Sequence, residues 1–229
     1  MRIKLPKTNP QNSPSNTNPL SSLDSLIGEP ILSAYIVGGS DSYDYLLCQN
    51  IEDGGHTMIF ERDLARCGEV EILFHELRGV KVWYRNIDDG TNSVMKSIRN
   101  IIDTDEPVVN EVGSEEIDSW RVSSGSLDQF WIGTGLPPEI IKINIKRCVL
   151  DVLHGCKELL NFCSPHIILR SEICPDREKS EFINYLSRIG YKVFDLETNE
   201  FVGDIEGSIS SKYLLASRSI DRIKGDSVS

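Results

Sequence analysis

Two glycines and a carboxylate carry the first chemical suggestion in this sequence. Gly38 and Gly39 close the run Ala34-Tyr-Ile-Val-Gly-Gly-Ser-Asp-Ser-Tyr43, and Glu61 closes the next apolar run, Thr57-Met-Ile-Phe-Glu61. Residues without a Cβ let backbone amides approach a ligand, and an acid ending the following strand can accept the hydroxyls of a ribose. Ser40 and Asp41 lie between that turn and the helix expected next, and complete a candidate nucleoside-binding set. The same residues admit a plainer reading: a tight strand-to-helix turn, a helix cap at Asp41 and a solvated strand end at Glu61. The full G-x-G-x-x-G spacing of a dinucleotide-dependent oxidoreductase is absent.

Other reactive residues form no constellation by spacing. The four histidines (His56, His75, His154, His166) are scattered, and no Ser-His-Asp or paired-carboxylate arrangement emerges. The six cysteines include no Cys-x-x-Cys pair and no histidines at ligand spacing, which argues against structural zinc and for a reducing compartment. A formal net charge of -11 argues against a nucleic-acid partner, because phosphate binding needs clustered cations. Lys142, Lys146 and Arg147 form a local basic group within that acidic whole. No signal peptide or membrane-length apolar run is visible, so a cytoplasmic location is expected.

Positioning the candidate residues requires alternating strands and helices. Strands are expected over 30–37, 56–61, 70–74, 139–145, 166–170, 191–195 and 212–217. Another over 80–84 reads as a partly exposed antiparallel partner. Helices are expected over 43–50, with Tyr45, Leu46 and Leu47 inward, over 148–162 as one amphipathic run, and over 176–189 with Gly190 as its cap. Ser126-Leu-Asp-Gln-Phe-Trp131 reads as a capped helical turn, and 117–122 as a short edge strand. Residues 88–116 read as a long excursion suited to a lid or substrate loop. The chain divides into a flexible polar arm (1–29), one domain (30–219) and a flexible tail (220–229). The order predicts an α/β three-layer sandwich with a mostly parallel sheet.

The second half resembles a known family. Ile140-Ile-Lys-Ile-Asn-Ile-Lys-Arg-Cys-Val-Leu-Asp-Val-Leu-His-Gly-Cys-Lys-Glu-Leu-Leu160 is similar to the I-K-I-D-V-E-G-x-E-x-x-V-L-x-G-A-x-x-L-L run of FkbM-like S-adenosyl-L-methionine-dependent methyltransferases. Ser126-Leu-Asp128 stands where that family has T-L-D. His166-Ile-Ile-Leu, the stretch 182–196 and Tyr213-Leu-Leu resemble its later elements, and 70–84 its strand pair after the cofactor site. The resemblance implies a class I methyltransferase (Rossmann-like) fold with a seven-stranded sheet whose last strand is antiparallel. It also implies S-adenosyl-L-methionine at Gly38, Gly39, Ser40, Asp41 and Glu61, and a substrate face at Asn144 and Lys146. The implied activity is O-methylation of a hydroxyl on a small molecule or sugar.

Departures from the family pattern are concentrated at its acids. Ile36 stands for the leading acid of the first motif and Ser42 for its final glycine, while Asn144, Lys146 and Arg147 replace Asp, Glu and Gly. Asp41 could substitute for the lost acid by reaching back over the turn. Asn144 keeps hydrogen-bonding capacity but cannot act as a base, and Lys146 and Arg147 would repel a sulfonium while suiting an anion. Two functions therefore stand side by side: a methyltransferase with a divergent cofactor site, or a catalytically silent methyltransferase fold serving a protein partner as an interaction or assembly subunit.

Overall fold

The computed structural model describes residues 23, 27, 30–39, 41–51, 54–90, 123–202 and 211–219. In chain order they form β1 (Ser33–Val37), α1 (Ser42–Gln49), β2 (His56–Glu61), α2 (Leu64–Phe74), β3 (Val80–Ile87), β4 (Ser123–Gly125) and α3 (Leu127–Thr134). There follow β5 (Ile140–Ile143), α4 (Val149–His154), α5 (Lys157–Phe162), β6 (His166–Arg170), α6 (Asp176–Arg188), β7 (Lys192–Asp195) and β8 (Tyr213–Ser217). The sheet runs β4-β3-β2-β1-β5-β6-β8-β7. Its seven main strands have the class I methyltransferase order, with β8 antiparallel to both β6 and β7. The three-residue β4 adds an eighth strand at one edge, parallel to β3 through Arg85↔Ser123.

Period-two alternation in the strands builds two cores, one on each face of the sheet. Tyr35, Val37, Met58, Phe60, Ile141, Ile143, Ile167 and Leu169 face one way, against α3, α4, α5 and α6. Ala34, Ile36, Ile59, Ile140, Ile168 and Leu215 face the other way, against α1 and α2. Leu23, within the sequence assigned to the arm, is fully buried in this second core, and Ile27 packs on it.

Four expectations are corrected. Residues 70–74 are not a strand but the end of α2. Asp63 caps that helix by accepting from the amides of Ala65 and Arg66, and Cys67, Val70 and Phe74 form its buried stripe. With α2 as the crossover, β3 returns parallel to β2 rather than antiparallel. The run 148–162 is two helices. It breaks at Gly155, where any Cβ would collide with the Asp88 carbonyl oxygen, and Asp128 starts α5 by accepting from the amides of Glu158 and Leu159 at 3.0 and 2.9 Å. In α1 the inward residues are Tyr43, Asp44, Leu47 and Cys48, with Tyr45 and Leu46 only half-buried.

The capped turn at Ser126 is present as a capping box with Gln129 at the head of α3. Gly190 follows α6 with φ +89°. The expected edge strand at 117–122, and the 88–116 excursion beyond Gly90, lie outside the described residues. Among the described residues no helix is long and apolar enough to cross a membrane.

Candidate functional site

Parallel strands deliver their carboxyl ends to one edge, and most of the candidate residues arrive there together. Gly38 follows β1, Glu61 ends β2, Asn144 follows β5 and Arg170 ends β6; Ser40 lies outside the described residues. The Gly38 amide donates to the Phe60 carbonyl at 2.9 Å, which sets the turn beside Glu61, and the Asn144 amide donates to the Val37 carbonyl at 2.8 Å.

Both glycines are demanded by crowding. Gly38 has φ +76°, and a Cβ on it would lie 2.6 Å from the Asn144 carbonyl oxygen and 2.8 Å from Ile145 Cγ2. On Gly39 a Cβ would lie 2.6 Å from Ile59 Cγ2. Real Cβ atoms do not approach so closely, so three chain segments converge here only because these positions lack side chains.

Glu61 is 4% exposed. Its Oε1 accepts from the Arg62 and Asp63 amides at 2.8 and 3.0 Å, and Oε2 stands 3.8 Å from Arg66 Nε. The carboxylate is thus oriented by its own loop through one oxygen. The other faces a single, more distant cation.

The strongest feature of this edge is a charge cluster that spacing alone does not disclose. Asp41 and Asp44 form a reciprocal capping box on α1: the Asp44 amide donates to Asp41 Oδ1 at 2.8 Å, and the Asp41 amide to Asp44 Oδ2 at 2.9 Å. Lys142, in the middle of β5, has no solvent exposure, and its Nζ donates to both Asp41 oxygens at 3.1 and 3.0 Å and to Asp44 Oδ1. The rings of Tyr43 and Tyr213 stack 4.7 Å apart, with the ammonium 5.3 and 5.5 Å from their centroids. Tyr213 OH donates to Asp41 Oδ2 at 3.1 Å. Arg170 Nη1 reaches Asp41 Oδ2 and Asn144 Oδ1, each at 3.4 Å, while its Nε donates to Glu172 at 2.7 Å.

A buried ammonium is tolerable only with anionic partners and full hydrogen bonding, which this arrangement supplies. Burial pushes the Asp41 carboxyl upward, but the Lys142 charge and the surrounding hydrogen bonds outweigh it and hold the group below the usual range. At Asp44, more deeply enclosed, burial wins over Lys142 and raises the carboxyl. Burial and the adjacent Asp41 carboxylate both push the Tyr213 phenol upward.

Asp41 is therefore both helix cap and anion. The sequence reading grouped Lys142 with Lys146 and Arg147, and the structure separates them: Lys142 is sealed in the sheet, the other two are exposed on the loop after β5. Asp44, Tyr213 and Arg170 were not singled out. One signal could have found them: a lysine inside Ile140-Ile-Lys-Ile143 requires a counter-charge on the facing helix.

No family model matches the sequence, and comparison with curated proteins finds no match. Solved structures are similar in fold. A SAM-dependent O-methyltransferase from Thermotoga maritima superposes with a TM-score of 0.52 at 10% identity, over 93% of this chain and 69% of that one. The methyltransferase FkbM from Methylobacillus flagellatus superposes with a TM-score of 0.50 at 13% identity, over 82% of this chain and 44% of that one. At such identities the likeness concerns architecture: the chain has the class I methyltransferase fold.

Proposed function

We propose that this chain is an S-adenosyl-L-methionine-dependent methyltransferase of FkbM-like type, acting on a hydroxyl of a small molecule or sugar in the cytoplasm. The observation that carries the reading is the placement of Glu61 directly beside the Gly38 turn, at the carboxyl edge where open α/β sheets take ligands. Residues at this edge fit the cofactor: Glu61 keeps Oε2 free of backbone partners for a ribose hydroxyl, and Asp41 holds negative charge at the head of α1. The cofactor would supply an electrophilic methyl group. Within this chain, Glu61 and the Gly38 turn would bind it, and Asn144 would orient an acceptor by hydrogen bonding without taking its proton. Catalysis of this kind rests mainly on holding the reacting atoms in line, so a dedicated base is not required.

Calorimetric titration of the full chain with S-adenosyl-L-methionine and its demethylated product tests this. Saturable heat, reduced about tenfold in affinity by Glu61→Ala, is the expected result. No heat at millimolar ligand counts decisively against it.

A second reading is favoured by one observation. The Gly38 amide is already bonded, and Asp41, Asp44, Lys142 and Arg170 satisfy one another, so the glycine-turn side of the edge closes on itself. A silent methyltransferase fold serving as an assembly subunit would have that character. Isolation solely as a stoichiometric component of a larger complex, with no cofactor binding, would establish it.

A further inference from the structure

Among the described residues, three cations beside the carboxyl edge of this acidic chain have no ion-pair partner. Arg62 follows Glu61 directly, while Lys146 and Arg147 lie on the loop that leaves β5, and all three are exposed. None has an ion pair or a side-chain hydrogen bond among the described residues. Convergence is fixed by the backbone: Gly38 is bonded to Phe60 on one side and pressed against Asn144 and Ile145 on the other. Both cation-bearing loops therefore flank the same turn. Burial and the charges of Asp151 and Glu178 push the Cys148 thiol upward, with Arg62 opposing them.

Three acids of this region direct oxygens at backbone amides and make no ion pair with these cations among the described residues, while Asp151 adds negative charge near Cys148. Glu178 accepts from the Cys148 and Val149 amides at 3.1 Å each, Asp63 accepts from Ala65 and Arg66, and Glu61 is held by its own loop. On a protein of net charge -11, two guanidinium groups and an ammonium without ion-pair partners among the described residues, carried by the two loops that flank the Gly38 turn, make a local cationic group suited to an anion. Placed against a cationic cofactor these groups would be repulsive, so their charge suits the other reactant.

We propose that Arg62, Lys146 and Arg147 receive the phosphate of a phosphorylated acceptor, presenting its hydroxyl to the carboxyl edge. A doubly charged group matches three cations better than a carboxylate does, and guanidinium forks suit its oxygens. This substrate class rests on the methyltransferase reading, while the anion site itself does not.

The test is an amide-resolved NMR titration of the full chain with inorganic phosphate at constant ionic strength, using acetate and chloride as comparison ions. Saturable shifts at Arg62, Lys146, Arg147 and Cys148 are expected, with phosphate bound about tenfold more tightly than acetate. The doubly reversed Lys146→Glu, Arg147→Glu chain should lose them while keeping its thermal midpoint, since both side chains are exposed. Shifts no larger than those of chloride, or shifts that persist in the reversed chain, overturn the site. Repeating the titration with S-adenosylhomocysteine separates the two readings. Cofactor binding without phosphate shifts sinks only the acceptor class, and phosphate shifts without cofactor binding keep the anion site and sink the methyltransferase.

Discussion

Lys142 and Lys146 belong to one short stretch of chain, yet they show opposite solutions to the same charge. Lys142 sits within the sheet, bound by two carboxylates and flanked by two aromatic rings. Lys146 stands exposed to solvent, as do Arg147 and Arg62, with no ion pair among the described residues. Burial removes water as a partner, so the inner cation must be matched inside the protein. The outer ones remain hydrated, and their charge stays available to a ligand. The inner cluster thus holds the α1 turn in place, while the rim is where the proposed anion site would lie.

The sharpest way to break this contrast is Lys142→Met. Two carboxylates would lose their common counter-ion inside the protein, a loss of about 3–5 kcal/mol, read from the urea midpoint. Truncating Arg62 or Lys146 to alanine should leave that midpoint unchanged. Equal effects at both places would erase the distinction.

Next in size is Gly38→Ala. Its positive φ costs about 1–3 kcal/mol for any other residue, and contact with the Asn144 carbonyl adds to it. Gly135→Ala, at φ +70° with nothing within 4 Å, should show the backbone cost alone. A thermal melt of both variants separates conformational strain from crowding.

A pH series then addresses Asp41 directly. Because its folded carboxyl is held below the ordinary value, its contribution to stability is present above the unfolded value, near 3.9. That contribution is lost as pH falls through the folded value. The gap in melting temperature between the native chain and Asp41→Asn should be full at neutral pH and shrink on acidification. A gap that grows on acidification would mean that Asp41, like Asp44, is governed by burial.

The smallest expected effect is Glu61→Gln. The amide keeps an oxygen for the Arg62 and Asp63 amides, so stability should hardly change, while on the methyltransferase reading affinity for S-adenosyl-L-methionine should fall in the calorimeter.

Much of this arrangement was legible from residue patterns, and the failures have identifiable causes. The strand ends at Val37 and Glu61 were readable because apolar runs stop abruptly at glycine or charge. Val70-Glu-Ile-Leu-Phe74 looks like an alternating strand, but Cys67, Val70 and Phe74 share a helical face once Asp63 caps the turn before them. The break at Gly155 depends on the Asp88 carbonyl oxygen, a neighbour remote in sequence. Asp41 could be read as a cap from its position, but its tie to Lys142 spans 101 residues and leaves no local trace.

Local composition by itself determined the α/β order, the two-faced strands and the positions where the chain must turn, because periodicity and side-chain volume act between near neighbours. Only the tertiary structure decided which charges are enclosed and which remain free. That outcome depends on which strand lies beside which helix, and on how much water is excluded where they meet.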